Sequence, residues 1–140
     1  MATAIRPELS PKNKYWISKH RHYELKHFCV QYNSWKQMYN SLDSVYVATS
    51  LWDRLRPYSN APSDPTAQQA LLRKSYLEKI ALIEDTAKAT DKYLWQYILK
   101  AVTEGLSYSH LRLQLGMPCG RDMYYDRYRK FFWLLSFARD

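Results

Sequence analysis

A predicted helix near the start of the chain carries side chains of the metal-ligating types. His20, Glu24 and His27 follow one another at steps of four and three residues, which places them on one helix face. Imidazole and carboxylate groups bind a divalent cation only when they are deprotonated and well ordered. Five basic residues between Lys12 and Lys26 oppose such a cation. We therefore expect a basic, histidine-bearing outer face and no metal site.

The two cysteines, Cys29 and Cys119, are too few for a disulfide framework and fit a reducing cytoplasm. Cys119 lies beside Arg121 near a helix start, a position that can lower a thiol pKa. It has no identifiable basic partner, so we expect it to pack in a turn. The chain has no phosphate-cradling glycine loop, nucleophile elbow or recognisable pair of acids. We therefore expect no enzyme, no catalytic residue and no cofactor.

The charged residues in the last third of the chain are stronger candidates for a functional site. The function that they suggest is the binding of nucleic acid. Between residues 122 and 136, one apolar stripe recurs at steps of three and four residues and predicts the buried face of a helix. This predicted face consists of Tyr124, Tyr128, Phe131 and Leu135. Arginine and lysine on the opposite face can reach phosphates or guanine edges, and tyrosine can donate to phosphate. The aspartates there, Asp122 and Asp126, can cap the helix, pair with Arg129 and Lys130, or accept from a cytosine amine.

Two helices joined by a tight turn are predicted to position these side chains. Ser107 is the predicted N-cap of a short helix from Tyr108 to Leu115. Gly116 supplies a left-handed turn, and Met117 can fill the space between the helices. A longer basic helix follows, with Asp122 as its predicted N-cap. This order is typical of a helix-turn-helix, whose second helix lies in the major groove of DNA.

The predicted interface combines residues of both helices. The predicted DNA contacts are Tyr108, His110, Arg112, Arg121, Asp122, Tyr125, Asp126, Arg127, Arg129 and Lys130. Trp133 is predicted on the exposed side of the second helix and is a candidate for a protein interface, since tryptophan often anchors such interfaces.

The rest of the chain also shows helical spacing, so we predict an all-α, multi-helix fold. A helical pattern starts at Lys19, and Asn33-Ser34 is a candidate break that would divide it into two helices. Asp43 is a candidate N-cap of a helix to about Arg56. The next helix starts at Asp64-Pro65, and another runs from a cap at Asp91 to an end at Gly105. The predicted domains are a mobile basic arm (1–18), an N-terminal helical region (19–56), a proline-rich loop (57–66) and a helical domain with the C-terminal helix-turn-helix (67–140).

The net charge of +8 lies mainly at the two ends of the chain. From Met1 to His27 there are six Lys/Arg against two acids, and from Arg112 to Asp140 there are six against three. Basic ends around a nearly balanced centre favour a polyanionic partner over simple solubility. No apolar run approaches the ~20 residues of a membrane span, and the first residues do not resemble a secretory signal. We therefore expect a cytoplasmic protein with no membrane partner.

The last two helices resemble those of phage and prophage transcription regulators of the RinA/ArpU type, whose DNA-binding part is similar to region 4 of a sigma factor. The similarity rests on Glu-Gly-Leu-Ser-Tyr at 104–108, Leu-Gly-Met at 115–117 and Tyr-Tyr-Asp-Arg-Tyr-Arg-Lys-Phe-Phe at 124–132. It covers roughly residues 70–136. The resemblance implies activation of phage late or packaging genes in a host cytoplasm through promoter DNA, with RNA polymerase as a further candidate partner. It places Arg121, Tyr125, Arg129 and Lys130 at recognition-helix positions.

The sequence departs from that pattern in two ways. The turn Pro118-Cys119-Gly120-Arg121 is longer and stiffer than usual, and the acids Asp122 and Asp126 lie on the second helix. Our leading hypothesis is a phage-encoded, sequence-specific transcription regulator that binds double-stranded DNA. The alternatives are a phage protein that modulates a host protein, such as RNA polymerase or a defence nuclease, and a small terminase subunit. The oligomeric state stays open, with a homodimer among the possibilities.

Overall fold

The computed structural model describes residues 12–42 and 65–140. Within these ranges the regular structure is α-helical and no strand occurs, so the predicted all-α class holds there. The helices of these ranges are α1 (Lys19–Cys29), α2 (Tyr32–Ser41), α3 (Pro65–Thr90), α4 (Trp95–Glu104), α5 (Tyr108–Gln114) and α6 (Arg121–Ala138). None of these helices is both long and apolar enough to cross a membrane. The helix predicted at 43–56 and most of the predicted loop at 57–66 lie outside the described residues.

The predicted break near Asn33-Ser34 occurs slightly earlier, at Val30 and Gln31. The Gln31 backbone N–H donates to the Phe28 carbonyl at 3.3 Å, a tightened turn that closes α1. Because α2 already begins at Tyr32, the serine of the candidate capping box lies inside a helix and is not its N-cap. The break itself is confirmed, and its position and capping residue are corrected.

Three later boundaries follow the predicted signals. Pro65 is the first residue of α3, where its fixed φ and missing N–H suit a helix start. Asp91 Oδ1 accepts hydrogen bonds from the backbone N–H groups of Tyr93 at 2.8 Å and Leu94 at 2.9 Å, and so caps the turn that leads into α4. The N-cap of α4 itself is Leu94, three residues after the predicted cap. Gly105 ends α4 with a φ of +70°, which glycine adopts without strain.

The described residues form two compact units. One contains residues 12–32 and 82–140, and the other contains 33–42 and 65–81, so that α3 runs through both. Within the first unit, α1 packs against α4 and α6. In the second unit, cation–π contacts join α2 to α3: the Lys79 ammonium lies 5.4 Å from the Trp35 ring centre, and the Arg73 guanidinium lies 5.0 Å from that of Tyr39.

α6 supplies the largest buried side chains of the first unit. Those at most 1 % exposed are Tyr124, Phe131, Phe132 and Leu135. Other helices of this unit add Leu25, Ile83, Ala87, Ile98 and Leu111, all with no exposed surface. The predicted buried face of α6 is therefore confirmed at three of its four positions.

The fourth predicted position, Tyr128, is only half-buried, and Phe132 is buried instead. α1 explains the difference, because the buried His22 ring lies 4.8 Å from the Phe132 ring and 6.4 Å from the Tyr128 ring. Although the residue keeps some exposed surface, burial raises the pKa of the Tyr128 hydroxyl above its ordinary value. The buried face of α6 is thus wider than the predicted stripe and turned toward α1.

Candidate nucleic-acid interface

α5 and the start of the connection after it form as the sequence predicts. Ser107 caps α5, because its Oγ accepts a hydrogen bond from the His110 backbone N–H at 3.1 Å. Gly116 has a φ of +69°, a left-handed conformation that would strain a residue with a side chain. Met117 has no exposed surface, and its N–H donates to the Leu111 carbonyl at 3.0 Å. The predictions for Ser107, Gly116 and Met117 are confirmed.

Two predicted DNA contacts have hydrogen-bond partners in the connection between α5 and α6. The Tyr108 hydroxyl donates to the Cys119 carbonyl at 3.3 Å, and Arg112 Nη1 donates to the Met117 carbonyl at 3.0 Å. The Tyr108 ring also lies 5.6 Å from the Tyr124 ring, centre to centre. Both side chains therefore fix the connection and, through it, the position of α5 against α6.

α6 begins earlier than predicted, and Asp122 is not its N-cap. Gly120 is the capping residue, in an extended conformation and with no side chain to accept a hydrogen bond. Its carbonyl accepts from the Tyr124 N–H at 3.1 Å, the first bond of the helix. Asp122 is exposed in the first turn, where a carboxylate interacts favourably with the helix dipole.

Both cysteines are buried and have raised thiol pKa values. Burial raises the pKa of Cys29 to about 12, against an opposing effect of the Arg139 charge. Burial is also the main cause of the raised pKa of Cys119, which the charge of Arg112 partly opposes. A protonated thiol is a poor nucleophile. Cys119, 8 % exposed, therefore packs in the connection as expected.

Arg127, another predicted DNA contact, pairs with two carboxylates. Its Nε donates to Asp91 Oδ2 at 2.9 Å, and its Nη1 forms an ion pair with Asp126. The bond to Asp91 is the main reason why the pKa of the Arg127 guanidinium is raised. Burial alone raises the pKa of Asp91, but hydrogen bonds from Arg127 and two backbone N–H groups bring it below its ordinary value. Arg127 thus links α6 to the turn before α4, and its single charge is shared between the carboxylates of Asp91 and Asp126.

Substitution of Asp91 tests this connection. We expect Asp91→Ala to lower the free energy of unfolding by about 1–3 kcal/mol, because it removes both the capping acceptor and the partner of Arg127. Asp91→Asn keeps an acceptor oxygen for the cap but removes the charge, so it should lower the free energy of unfolding by less than Asp91→Ala does. Urea denaturation of both variants at neutral pH measures the two effects.

The same ion pair predicts a pH dependence. The folded-state pKa of Asp91 is lowered, so its carboxylate contributes to the free energy of unfolding. This contribution is complete well above the unfolded carboxyl pKa of about 4 and is lost as the pH falls through the folded-state pKa. The stability difference between wild type and Asp91→Asn should therefore shrink in acid. An unchanged difference at low pH would show that the charge of Asp91 contributes nothing.

Three predicted DNA contacts on α6, in contrast, keep uncompensated charges. The side chains of Arg121, Arg129 and Lys130 have no ion pair or hydrogen bond to any residue in the described ranges. Arg121 is exposed, and its guanidinium lies 5.5 Å from the ring centre of the half-buried Tyr125. The alternative in which Asp126 pairs with Arg129 or Lys130 is not seen, since Asp126 pairs with Arg127.

Trp133 is half-buried rather than exposed, which corrects the prediction for this residue. Its ring centre lies 5.3 Å from that of Tyr15 and 5.0 Å from that of Phe137, which approaches it edge-on. Tyr15 belongs to the segment predicted as a mobile arm, and Ile17 of the same segment is buried. The described part of that segment, residues 12–18, therefore packs on the protein. Tyr15 covers α6 about one turn beyond Lys130.

The histidines of α1 do not come together. His20 and His27 are exposed, whereas His22 is buried against Phe132. Across residues 12–42 and 65–140, no group of three His, Cys, Asp or Glu side chains is arranged to hold a metal ion. His110, the remaining histidine, is exposed on α5.

The structure therefore divides the ten predicted DNA contacts into two sets. Internal hydrogen bonds or ion pairs engage Tyr108, Arg112, Asp126 and Arg127. The remainder are His110, Arg121, Asp122, Tyr125, Arg129 and Lys130. The sequence reasoning missed the role of Asp91 as a partner of Arg127, because the spacing identified it only as a cap.

Comparisons of the chain with protein families, with characterised proteins and with solved structures gave no match. The similarity to regulators of the RinA/ArpU type stays an expectation from the sequence. The function is therefore inferred from the arrangement of residues on α5 and α6.

Proposed function

We propose that this protein is a sequence-specific regulator of transcription that binds duplex DNA, with α5, the connection and α6 acting as a helix-turn-helix. The observation that carries the proposal is the contrast between neighbouring cations on α6. Arg127 is paired with carboxylates, whereas Arg121, Arg129 and Lys130 have no such partner in the described residues. Phosphates of DNA would supply the missing negative charge.

The two acids of α6 are compatible with this role. Asp126 pairs with Arg127, which orients its carboxylate, but Arg127 also pairs with Asp91, so this group of three keeps one net negative charge. Asp122 is exposed in the first turn, where it can accept a hydrogen bond from a cytosine amine in the major groove. Arg129 is placed to donate to guanine or phosphate, and Lys130 to phosphate. The part of α6 from Arg121 to Lys130 is then the part that reads DNA.

The connection supports this role by fixing the direction of α6. A reading helix must hold its side chains within about 0.5 Å of the positions from which they contact the base edges. The hydrogen bonds of Tyr108 and Arg112 and the buried Met117 restrain the connection. Tyr125, half-buried beside the rings of Tyr108 and Tyr124, supports the guanidinium of Arg121. These four side chains position the interface and contribute little to base recognition.

A pair of double variants tests the proposal. We expect Arg129→Gln/Lys130→Gln to weaken duplex binding by about 5- to 150-fold, the equivalent of one lost base contact of about 1–3 kcal/mol. The control Lys88→Gln/Lys92→Gln removes the same charge from exposed lysines elsewhere. Fluorescence anisotropy on duplexes selected from a randomised pool measures affinity, and thermal melting checks the fold. Equal affinity in the two double variants would refute DNA reading by α6.

A second candidate function is docking of a host protein. Phe137 is 63 % exposed and lines an apolar groove of about 410 Å³ with Leu82 and Leu134. Aromatic side chains beside such a groove are typical anchors of protein interfaces. This surface lies toward the end of α6, beyond the cations proposed to contact DNA. A regulator that contacts RNA polymerase would use both surfaces.

A further inference from the structure

The outer side of α1 carries cations and hydrogen-bond donors that face away from the protein core. Ser18 is the N-cap of α1, because its Oγ accepts a hydrogen bond from the Arg21 N–H at 3.3 Å, and the helix buries Leu25 and Phe28. On the opposite side, a set of basic and aromatic residues is exposed. These residues, here called the α1 cationic face, are Lys19, His20, Tyr23, Lys26 and His27.

Among the residues that the structure describes, no carboxylate forms an ion pair with the lysines of this face. Glu24 is the only acid of α1, and it pairs with Arg21 on its own helix and lies 4.0 Å from Arg139 Nη1. Neither Lys19 nor Lys26 has an ion pair with any residue that the structure describes. Glu24 is thus already neutralised at the border of the face, and the two lysines project positive charge into solvent.

The polar tips of these side chains fit the oxygens of a phosphate backbone. Lysine donates only, and the tyrosine hydroxyl and the imidazole each have a donor, whereas a phosphodiester only accepts. Lys19 and Lys26 are seven residues apart, about 10.5 Å along the helix axis. That distance is roughly the axial rise of three nucleotides of one DNA strand. The two lysines can therefore bind separate phosphates of the same strand.

We propose that the α1 cationic face is a second DNA-contacting surface, which binds the phosphate backbone independently of sequence. The inference rests on the proposed function in taking duplex DNA as the polyanion. The composition of the face favours nucleic acid over other anionic partners. A membrane-binding helix presents large apolar residues such as Trp, Phe and Leu on its inserted face, and a protein interface has a desolvated apolar anchor. The α1 cationic face has only Tyr23, 44 % exposed, at its centre.

The salt dependence of binding tests the inference. The observed affinity falls with salt with a logarithmic slope of about −0.9 for each phosphate contact. Lys19→Gln/Lys26→Gln should therefore make the slope less steep by about 1.8 on any duplex, with sequence preference unchanged. Lys88→Gln/Lys92→Gln, with the same loss of charge, should leave the slope as in wild type. Glutamine is a good helix former, so the helicity of the variant should be unaffected.

The outcomes separate this inference from the proposed function. An unchanged slope in Lys19→Gln/Lys26→Gln refutes the inference, even if Arg129→Gln/Lys130→Gln weakens binding as expected. A reduced slope together with no effect of Arg129→Gln/Lys130→Gln supports the α1 cationic face and refutes reading by α6. A wild-type protein that binds no duplex at low salt refutes both.

Two other polyanions serve as competitors. Poly-glutamate and vesicles rich in phosphatidylserine present negative charge without a nucleic-acid backbone. If either binds wild type more tightly than duplex DNA does and loses binding in Lys19→Gln/Lys26→Gln, the face serves an acidic protein or a membrane and the inference is wrong. Weaker binding of both competitors than of duplex DNA supports it.

Discussion

Phe132→Ala is expected to lower the free energy of unfolding by about 3–5 kcal/mol, the usual cost of truncating a buried phenylalanine. The ring is 1 % exposed and packs edge-on against Phe131, with 5.1 Å between the ring centres. It also lies 5.0 Å from the Tyr128 ring and 4.8 Å from the His22 ring of α1. Truncation would open a cavity between two helices that pack through this ring, and neither helix can close it without losing other contacts.

A matched truncation on the surface provides the control. Tyr93 is 77 % exposed, and its backbone N–H, which bonds to Asp91, is retained in Tyr93→Ala. That variant should stay within about 0.5 kcal/mol of wild type. Urea denaturation measures the free energy of unfolding of both variants, and an unchanged m-value shows that the difference is one of stability. A loss below about 1 kcal/mol for Phe132→Ala would contradict the packing of α1 on this side of α6.

The sequence predicts the local features of the fold because their causes are local. Ser107, Gly105 and Gly116 act through the hydrogen bonds and the φ angles of their own turns. Pro65 starts a helix because of its own ring. The apolar period of α6 likewise predicts three of its buried residues from that helix alone.

The misplaced features depend on neighbours that one helix does not encode. Phe132 is buried because α1 lies against α6. The prediction missed this residue because a single apolar stripe assumes that the helix packs against one neighbour only. Trp133 is covered because Tyr15, far away in sequence, packs on it. The early start of α6, in contrast, has a local cause that no side chain reveals, because the extended Gly120 serves as the cap without a side-chain acceptor.

The candidate interface shows the same division. Sequence spacing identifies the charged face of α6 but does not show which cation is neutralised. Arg127 pairs with Asp91, 36 residues away, and this single contact separates it from Arg129 and Lys130. The partner of a charged side chain is set by tertiary packing, and so the proposed DNA contacts emerge only from the folded chain.

The duplex affinity of the wild-type protein is expected to fall about 500-fold between 50 and 200 mM salt. The two proposed surfaces carry five cations, and five phosphate contacts give a logarithmic slope of about −4.5. These cations are Arg121, Arg129 and Lys130 on α6 and Lys19 and Lys26 on α1. If only the three on α6 bind phosphate, the slope is about −2.7 and the loss about 40-fold. Anisotropy titrations at several salt concentrations distinguish these values.

A nearly flat salt response would point to the other end of α6. Apolar burial responds weakly to moderate salt, whereas release of counterions from DNA responds steeply. A flat response would therefore mean that the cations contribute little to binding and that the surface at Phe137, with its apolar groove, is the functional one. We expect the steep response, because the five cations of the two proposed surfaces have no carboxylate partner within the described residues. The phosphates of a nucleic acid would supply the missing negative charges.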